Sequence, residues 1–511
     1  MKLPLGIQTF STIREDGYHY VDKTARIHEL ATGSGYVFFL SRPRRFGKSL
    51  LCSTLGALFE GRRELFKGLA IDSLTWEWKK YPVIHIALNA DNYSEDGVAV
   101  LEVVVNSSLK LCAEKYEMSF DGSTIADRFR LLIANLHKKY NEKVVVIIDE
   151  YDKPLLDTLN KKELHNTIRN ALKGFYGVLK SSDEHLKFAF LTGVTKFSKV
   201  SIFSDLNNLT DISLDPRYTD ICGITQKELE ENFKEEIDSI GNTKEYFARL
   251  KQFYNGYRFS KEPLTVYNPF GLLHHFNSKG EFIPYWFASG TPTFLIKLIE
   301  QQKIDVTTLE KMEMPASAFD DYQGNDIRAI PVFYQSGYLT IVGYDAESML
   351  YTLDYPNDEV RTGFASFLSA QYSGAMPEMQ ASLVNKMHKM LAVGNADGFV
   401  EALKPFYNGI PFDILSRVEH CYQLIFYVIV RMLGIYSRVE VHTAIGSVDA
   451  VIEEKDFVYV IEFKLNGTAE EALAQIESKD YALSYNGQGK KVVKLGIEFD
   501  KEKRNIGRWV I

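Results

Sequence analysis

The chain has 511 residues, too many for one ordinary hydrophobic core; at roughly 100–200 residues per unit it predicts about three domains. Hydrophobic residues make up 45% and charged residues 25%, which excludes long disorder, and a net charge of -8 excludes a generally basic nucleic-acid coat while leaving room for a local basic groove. The four cysteines, Cys52, Cys112, Cys222 and Cys421, form no CxxC pair, so neither a zinc site nor a disulfide framework is expected and a reducing, cytoplasmic setting fits.

The N-terminal MKLPLGIQTF has no apolar stretch of the kind a secretion signal carries. From 36 to 221, short and almost continuous apolar runs alternate with helical stretches. The runs are YVFFLS, PVIHIAL, KVVVIIDE and FAFLTGV. Apolar runs without alternation read as strands buried on both faces, hence a parallel α/β sheet.

The first run enters Ser41-Arg42-Pro43-Arg44-Arg45-Phe46-Gly47-Lys48-Ser49, and LLCSTLGALF follows with helical periodicity. Strand, loop, Gly-Lys-Ser and helix is the order of a phosphate-binding P-loop. Backbone N–H groups and a helix N-terminus face the phosphates. Lys48 brings a mobile positive charge to the β- and γ-phosphates of ATP, and the Ser49 hydroxyl can ligate magnesium. Arg45 and Gly47 are the other expected nucleotide contacts. The first glycine of GxxxxGK[ST] falls at Arg42, so this loop leaves its strand differently.

The third run ends in Ile148-Asp149-Glu150, the Walker B arrangement. Asp149 is expected to hold magnesium through water, and Glu150 to polarise the attacking water as general base. The fourth run places Thr192 where a γ-phosphate sensor belongs; a Thr capping the following turn is the plainer reading. From 225 to 336 the pattern is mainly helical, a lid in which Arg258 of YNGYRF can reach the nucleotide, or else sit on the surface without that role. GYLTIVGYD and MLYTLDYPNDEV then read as a hairpin, one reading of which is the wing of a winged helix. A helical stretch follows, from 360 to 406.

CYQLIFYVIVRMLGIY is shorter than the roughly 20 residues of a membrane span and is interrupted by Arg431, so it reads as a buried helix and no membrane partner is expected. The remainder reads as three strands, a helix and a strand. Gly446-Ser447-Val448-Asp449 opens one strand, and Ile461-Glu462-Phe463-Lys464 closes the next after the polar turn EEKD. The period-2 rule puts Glu462 and Lys464 on one face, and the strand register can bring Asp449 beside Glu462. Two carboxylates meeting at one point repel unless a cation joins them, which a hard divalent metal such as magnesium would do. Lys464 can then position or activate a metal-bound water. The plainer reading is an exposed Glu-x-Lys ion pair on an ordinary hairpin.

Taken together, GIQTFSTIREDGYHYVDKT, FLSRPRRFGKSL, VVVIIDEYDKPL, LTGVTKFSKVSIFSDLNNLTDISLDPRY and YNGYRF resemble the bacterial AAA-ATPase-like family, in which such an ATPase precedes a PD-(D/E)XK nuclease-like domain. The resemblance covers nearly the whole chain. It implies that SRPRRFGKS is the family's own form of the loop and that Tyr20, Asp22 and Lys23 line the nucleotide pocket, although capping is the bland role for Asp22. It implies further that Glu419 on the apolar helix joins Asp449 and Glu462 as a metal ligand, that Gln475 stands near the metal, and that Tyr481 falls in the family's usual spacing. The family often has Gly-Arg-x-Asp where this chain has Ser447 in place of the arginine, which puts cleavage in doubt more than fold. The expected domains are 1–224, a P-loop ATPase core; 225–400, lid and linker; and 401–511, the nuclease-like domain. The expected function is a hydrolase: an ATPase coupled to a magnesium-dependent nuclease acting on DNA. The alternative is an ATP-driven interaction switch whose nuclease fold only binds. Arg217 is a weak arginine-finger candidate, so oligomeric state stays open. The terminal KEKRNIGR reads as solvated surface.

Overall fold

A segment buried on both faces has to spend its backbone hydrogen bonds on neighbouring strands. In the computed structural model of this chain the expected apolar runs do so. Strands β1 (Val37–Ser41), β2 (Val83–Ala87), β3 (Val144–Asp149) and β4 (Leu186–Gly193) form a sheet with a fifth strand, β5 (Leu209–Asp211), in the order β2-β3-β4-β1-β5, and every pairing is parallel. The sequence reading lacks β5, because this three-residue edge strand is only partly buried and carries no apolar run. The structure describes residues 2–89, 92–196, 208–241, 243–289, 293–302, 304, 306–320, 322–323, 326–373, 377–408, 421–434, 438–444, 447–464, 467–478, 489–500, 502–503 and 505–511.

The strand order has a functional consequence. β4 lies between β1 and β3, so the strand that feeds the P-loop and the strand that ends in Asp149 stand two strand spacings apart, roughly 10 Å. Because all five strands are parallel, both motifs emerge at the same sheet edge. Val144, Val146 and Ile148 face a core shared with the helices Gly97–Lys115, Ile125–Tyr140 and Lys162–Ser181. On the other face, Gly56 of the helix Lys48–Phe59 lies against Ile147. The chain divides into two compact units, one of residues 1–286 with 313–357 and one of 287–312 with 358–511. These bounds differ from the three expected spans, since the segment 225–400 is shared between the units.

The first unit continues into helices packed around Leu229, Phe233, Ile237, Leu250, Tyr254, Leu272 and Phe276. The expected hairpin is present as an antiparallel pair of Thr340–Asp345 with Leu350–Asp354. His275, fully buried, bonds to the Tyr246 hydroxyl at 2.9 Å and the Glu281 carbonyl at 2.9 Å. Burial holds its pKa down to about 4; the Glu281 bond opposes this and Arg249 adds to it. The unfolded state, near 6.5, takes up the proton first. The stability His275 gives by staying neutral is therefore complete above pH 6.5 and is lost as pH falls toward 4, on the order of 3 kcal/mol. A urea midpoint that falls between pH 7 and 4.5, and falls less in His275→Gln, is the expected result.

The second unit holds β6 (Arg438–Ala444), β7 (Ser447–Glu453), β8 (Phe457–Lys464), β9 (Lys491–Asp500) and β10 (Asn505–Val510), in the order β6-β7-β8-β9-β10. Only β8 and β9 pair in parallel, and the helix Ala469–Ser478 lies in their crossover connection. β10 is a further strand in the segment read as solvated surface. The helix Cys421–Leu433 accommodates Arg431 by pairing it with Glu310 and setting it over the Tyr427 ring. Among the described residues no helix is long and apolar enough to cross a membrane.

Candidate functional site

Gly47 adopts φ +89 at the start of the helix Lys48–Phe59, a left-handed conformation that glycine enters without strain, and Arg45 enters the same region at φ +64. The loop therefore turns at residues 45 and 47. Arg42, where the first glycine was expected, has no such conformation among the positive-φ residues and has another job. It is 1% exposed; its guanidinium donates to the carbonyls of Ser41 at 2.9 Å, Ser213 at 2.8 Å and Tyr218 at 3.0 Å, and it stacks on Phe259. The loop is thus anchored from behind by an arginine rather than eased by a glycine. An arginine fork matches several carbonyls at once.

Lys48 is buried, and its ammonium donates to the carbonyls of Arg42 at 3.1 Å and Pro43 at 2.9 Å. Those carbonyls hold the charge over the loop, where phosphate oxygens would compete for it, and an ammonium has three donors. Ser49 follows in the first turn of the helix, half-buried.

At the end of β3, Asp149 is 3% exposed and its Oδ1 accepts from the Glu150 N–H at 2.9 Å. Glu150 sits at φ +52, unusual for a non-glycine residue and a form of strain that collects at working sites. Burial raises the Glu150 pKa, Lys48 pulls it down, and Asp149 and Asp152 push it up. A carboxylate so raised is better poised to accept a proton near neutrality. Asp152 was not among the expected site residues. It is buried and accepts from the N–H groups of Val194 at 3.0 Å and Thr195 at 2.6 Å and from the Thr195 hydroxyl at 2.6 Å, so it locks the Walker B turn to the end of β4. Its signal was an acid three residues after Asp149.

The remaining expected contacts fall in varied places. Thr192 lies on β4 between the two motifs, and its hydroxyl donates to the Leu40 carbonyl at 2.8 Å. The Arg258 guanidinium donates to the carbonyls of Ser260 at 3.0 Å, Val342 at 3.3 Å and Lys261, so its donors go to backbone of the lid and the hairpin. Asp22 accepts from Thr24 N–H at 2.8 Å and Ala70 N–H at 2.6 Å, and Lys23 pairs with Glu228 at 2.6 Å. Arg217 is exposed and paired with Asp215 of its own turn at 2.7 Å. Beside Gly47 opens a cavity of about 100 Å³, walled by Phe46, Leu50, Leu51, Phe233 and Leu273, with His19, Tyr20 and Lys23 also lining it. His19 lies within the quoted segment GIQTFSTIREDGYHYVDKT without having been singled out, and Phe233 had no motif to mark it.

In the second unit, the β7–β8 register sets Asp449 directly opposite Glu462. Directly opposed residues on antiparallel strands project to one face with Cβ atoms roughly 5 Å apart. Glu462 is 1% exposed, and Lys464 donates to it at 3.2 Å and also to the Gln475 side-chain carbonyl. Gln475 arrives there because the helix Ala469–Ser478 rides close on β9. A Cβ at Gly496, the parallel partner of Glu462, would lie 2.3 Å from the Ala469 carbonyl. Glu462, Lys464 and Gln475 are thus brought together, with Asp449 in register beside them. Glu419 and Tyr481 lie outside the described residues.

A family model described as predicted AAA-ATPase matches residues 4–203, and a model of the PD-(D/E)XK nuclease superfamily matches residues 417–509. An uncharacterized protein in the vnfD 5' region of Azotobacter chroococcum mcd 1 is 37% identical across 100% of this chain and 98% of that relative.

Proposed function

We infer the function from family membership: the chain belongs to the predicted AAA-ATPase-like family and ends in a PD-(D/E)XK nuclease superfamily domain. On that premise the first unit binds and hydrolyses ATP, and the second acts on nucleic acid, DNA foremost, as a metal-dependent nuclease. The protein works in the cytoplasm. The observation that carries the reading is the meeting of a P-loop and a strained, pKa-raised Glu150 at one edge of a parallel sheet.

Lys48 transfers its donors from the loop carbonyls to the phosphates. Ser49 and the buried Asp149 are oxygen donors of the kind magnesium requires, and they would hold it there. Glu150 orients the attacking water and accepts its proton. Arg42 keeps the loop in place behind these contacts. Thr192 ties β4 to β1 beside the γ-phosphate position, and the lid closes over the nucleotide until hydrolysis releases it.

In the second unit, Asp449 and Glu462, a carboxylate pair in register, suit a hard divalent cation, and Glu419 is the third expected ligand. When bound, such a metal lowers the pKa of water and offsets phosphate charge. Lys464 orients the water, and Gln475 holds Lys464. A second reading keeps the ATP cycle and makes this domain a binder of DNA or a partner without cleavage. Ser447, in place of the arginine expected there, supports it.

The test is incubation of the purified chain with plasmid and single-stranded DNA, with magnesium or manganese, with and without ATP. Cleavage that needs metal, is lost in Glu462→Ala and changes with ATP in the wild type but not in Lys48→Ala is the expected result. Cleavage that survives Glu462→Ala, or ignores both ATP and Lys48→Ala, contradicts it.

A further inference from the structure

We propose that Trp286 is a positioning residue for the P-loop: its indole N–H holds the middle of the loop in the shape that receives phosphates. The proposal rests on phosphate binding at the P-loop. A phosphate loop works while its backbone keeps one shape, because several N–H groups have to meet the oxygens together.

The two ends of this loop are fixed by their neighbours. At the strand end, the Arg42 N–H donates to the Gly193 carbonyl at 3.2 Å, and the Arg42 guanidinium to the carbonyls of Ser41, Ser213 and Tyr218. At the helix end, the Leu51 N–H donates to the Gly47 carbonyl at 2.9 Å. Between them, from Pro43 to Phe46, the hydrogen bonds to the loop backbone among the described residues come from Lys48 and Trp286. Lys48 donates to the Pro43 carbonyl at 2.9 Å, and Trp286 Nε1 donates to the Arg44 carbonyl at 3.0 Å.

Lys48 is the wrong residue to hold the loop during binding. Its ammonium is the charge that phosphates draw off, and once drawn off it no longer holds Pro43. An indole N–H carries no charge for them to draw off. Trp286 is also well seated. It lies on the one-turn helix Tyr285–Ala288, is 5% exposed, and stands 5.3 Å from the Tyr338 ring and 6.4 Å from that of Tyr257. Tyr257 in turn meets Phe46 edge-on at 4.8 Å. Gly337, at φ +89, lets this wall close on the loop, since a Cβ there would lie 2.7 Å from Pro43 Cβ. The wall therefore backs the side chains of Pro43 and Phe46, and the indole fixes a carbonyl between them. A loop ordered before the ligand arrives spares binding the cost of ordering it. Trp286 stands 242 residues along the chain from Arg44, so no pattern inside the motif marks it.

Calorimetric titration of wild type, Trp286→Phe, Trp286→His and Lys48→Ala with ATP and with inorganic tripolyphosphate, both with magnesium, tests this. Trp286→Phe keeps a ring and removes the N–H, and Trp286→His keeps a ring N–H. Trp286→Phe is expected to weaken both ligands by the same factor, about fivefold to tenfold, as loss of one hydrogen bond does. Binding stoichiometry stays at the wild-type value, and Trp286→His recovers part of the loss. A merely structural role reads differently: the fraction of protein that binds falls, while the affinity of the remainder is that of the wild type. That result overturns the proposal. So does wild-type affinity and stoichiometry in Trp286→Phe, or a loss for ATP that spares tripolyphosphate, which would place Trp286 on the nucleoside. The P-loop reading fails by a different sign, affinity for both ligands indifferent to Lys48→Ala.

Discussion

Glu150→Gln is expected to bind ATP about as well as the wild type and to hydrolyse it about 10²–10³-fold more slowly, the usual range for loss of a general base. The substitution keeps the shape of the side chain and its place after β3, where the left-handed backbone at φ +52 fixes its direction. It removes the carboxylate whose proton affinity burial raises. In the proposed reading binding is carried elsewhere, by Lys48 and the loop that Arg42 anchors. Single-turnover hydrolysis measured beside equilibrium binding separates the two. A variant that hydrolyses at the wild-type rate removes Glu150 from the chemistry; one that loses binding makes it structural.

Glu462→Gln is expected to reduce metal-dependent cleavage by about 10³-fold or more, because a neutral amide cannot join Asp449 in offsetting a divalent charge. Gln475→Ala should cost less, about 10–100-fold, since Gln475 acts by holding Lys464. Gly496→Val should resemble Gln475→Ala in activity. A side chain there collides with the Ala469 carbonyl and moves the helix that delivers Gln475. Initial rates on plasmid DNA under saturating magnesium check the order. A wild-type chain that binds metal and DNA but cleaves neither plasmid nor single strands would favour the binding-module reading.

The sheet of the first unit was legible because β1 and β3 are continuous buried apolar runs and β2 and β4 are broken only by the exposed His85 and Lys187. β5 was not, since its pairing to β1 is made by backbone and leaves no mark on a polar sequence. The places of Lys48, Asp149 and Glu150 at the ends of β1 and β3 were legible because spacing and order constrain them. The support behind them was not. Arg42 reads in sequence as a defect in a glycine motif, and only the carbonyls of Ser213 and Tyr218, more than 170 residues on, give it a purpose. Arg258 had a motif yet its donors are taken up by nearby and hairpin carbonyls, a tertiary fact that no local pattern encodes. In the second unit the opposition of Asp449 and Glu462 followed from the length of the turn between two strands, which period-2 counting can reach. The arrival of Gln475 depends on a close helix–strand approach at Gly496, for which a lone glycine in a strand is a weak sign.

The most direct test of the central claim is the affinity of the full chain for ATP with magnesium, measured by titration for the wild type and for Lys48→Ala. The account predicts saturable binding by the wild type and a loss of about 2–3 kcal/mol, or roughly 30- to 150-fold, in the variant, the range for charge-assisted contacts to phosphate. Equal affinity in the two proteins, or no binding by the wild type, would contradict it.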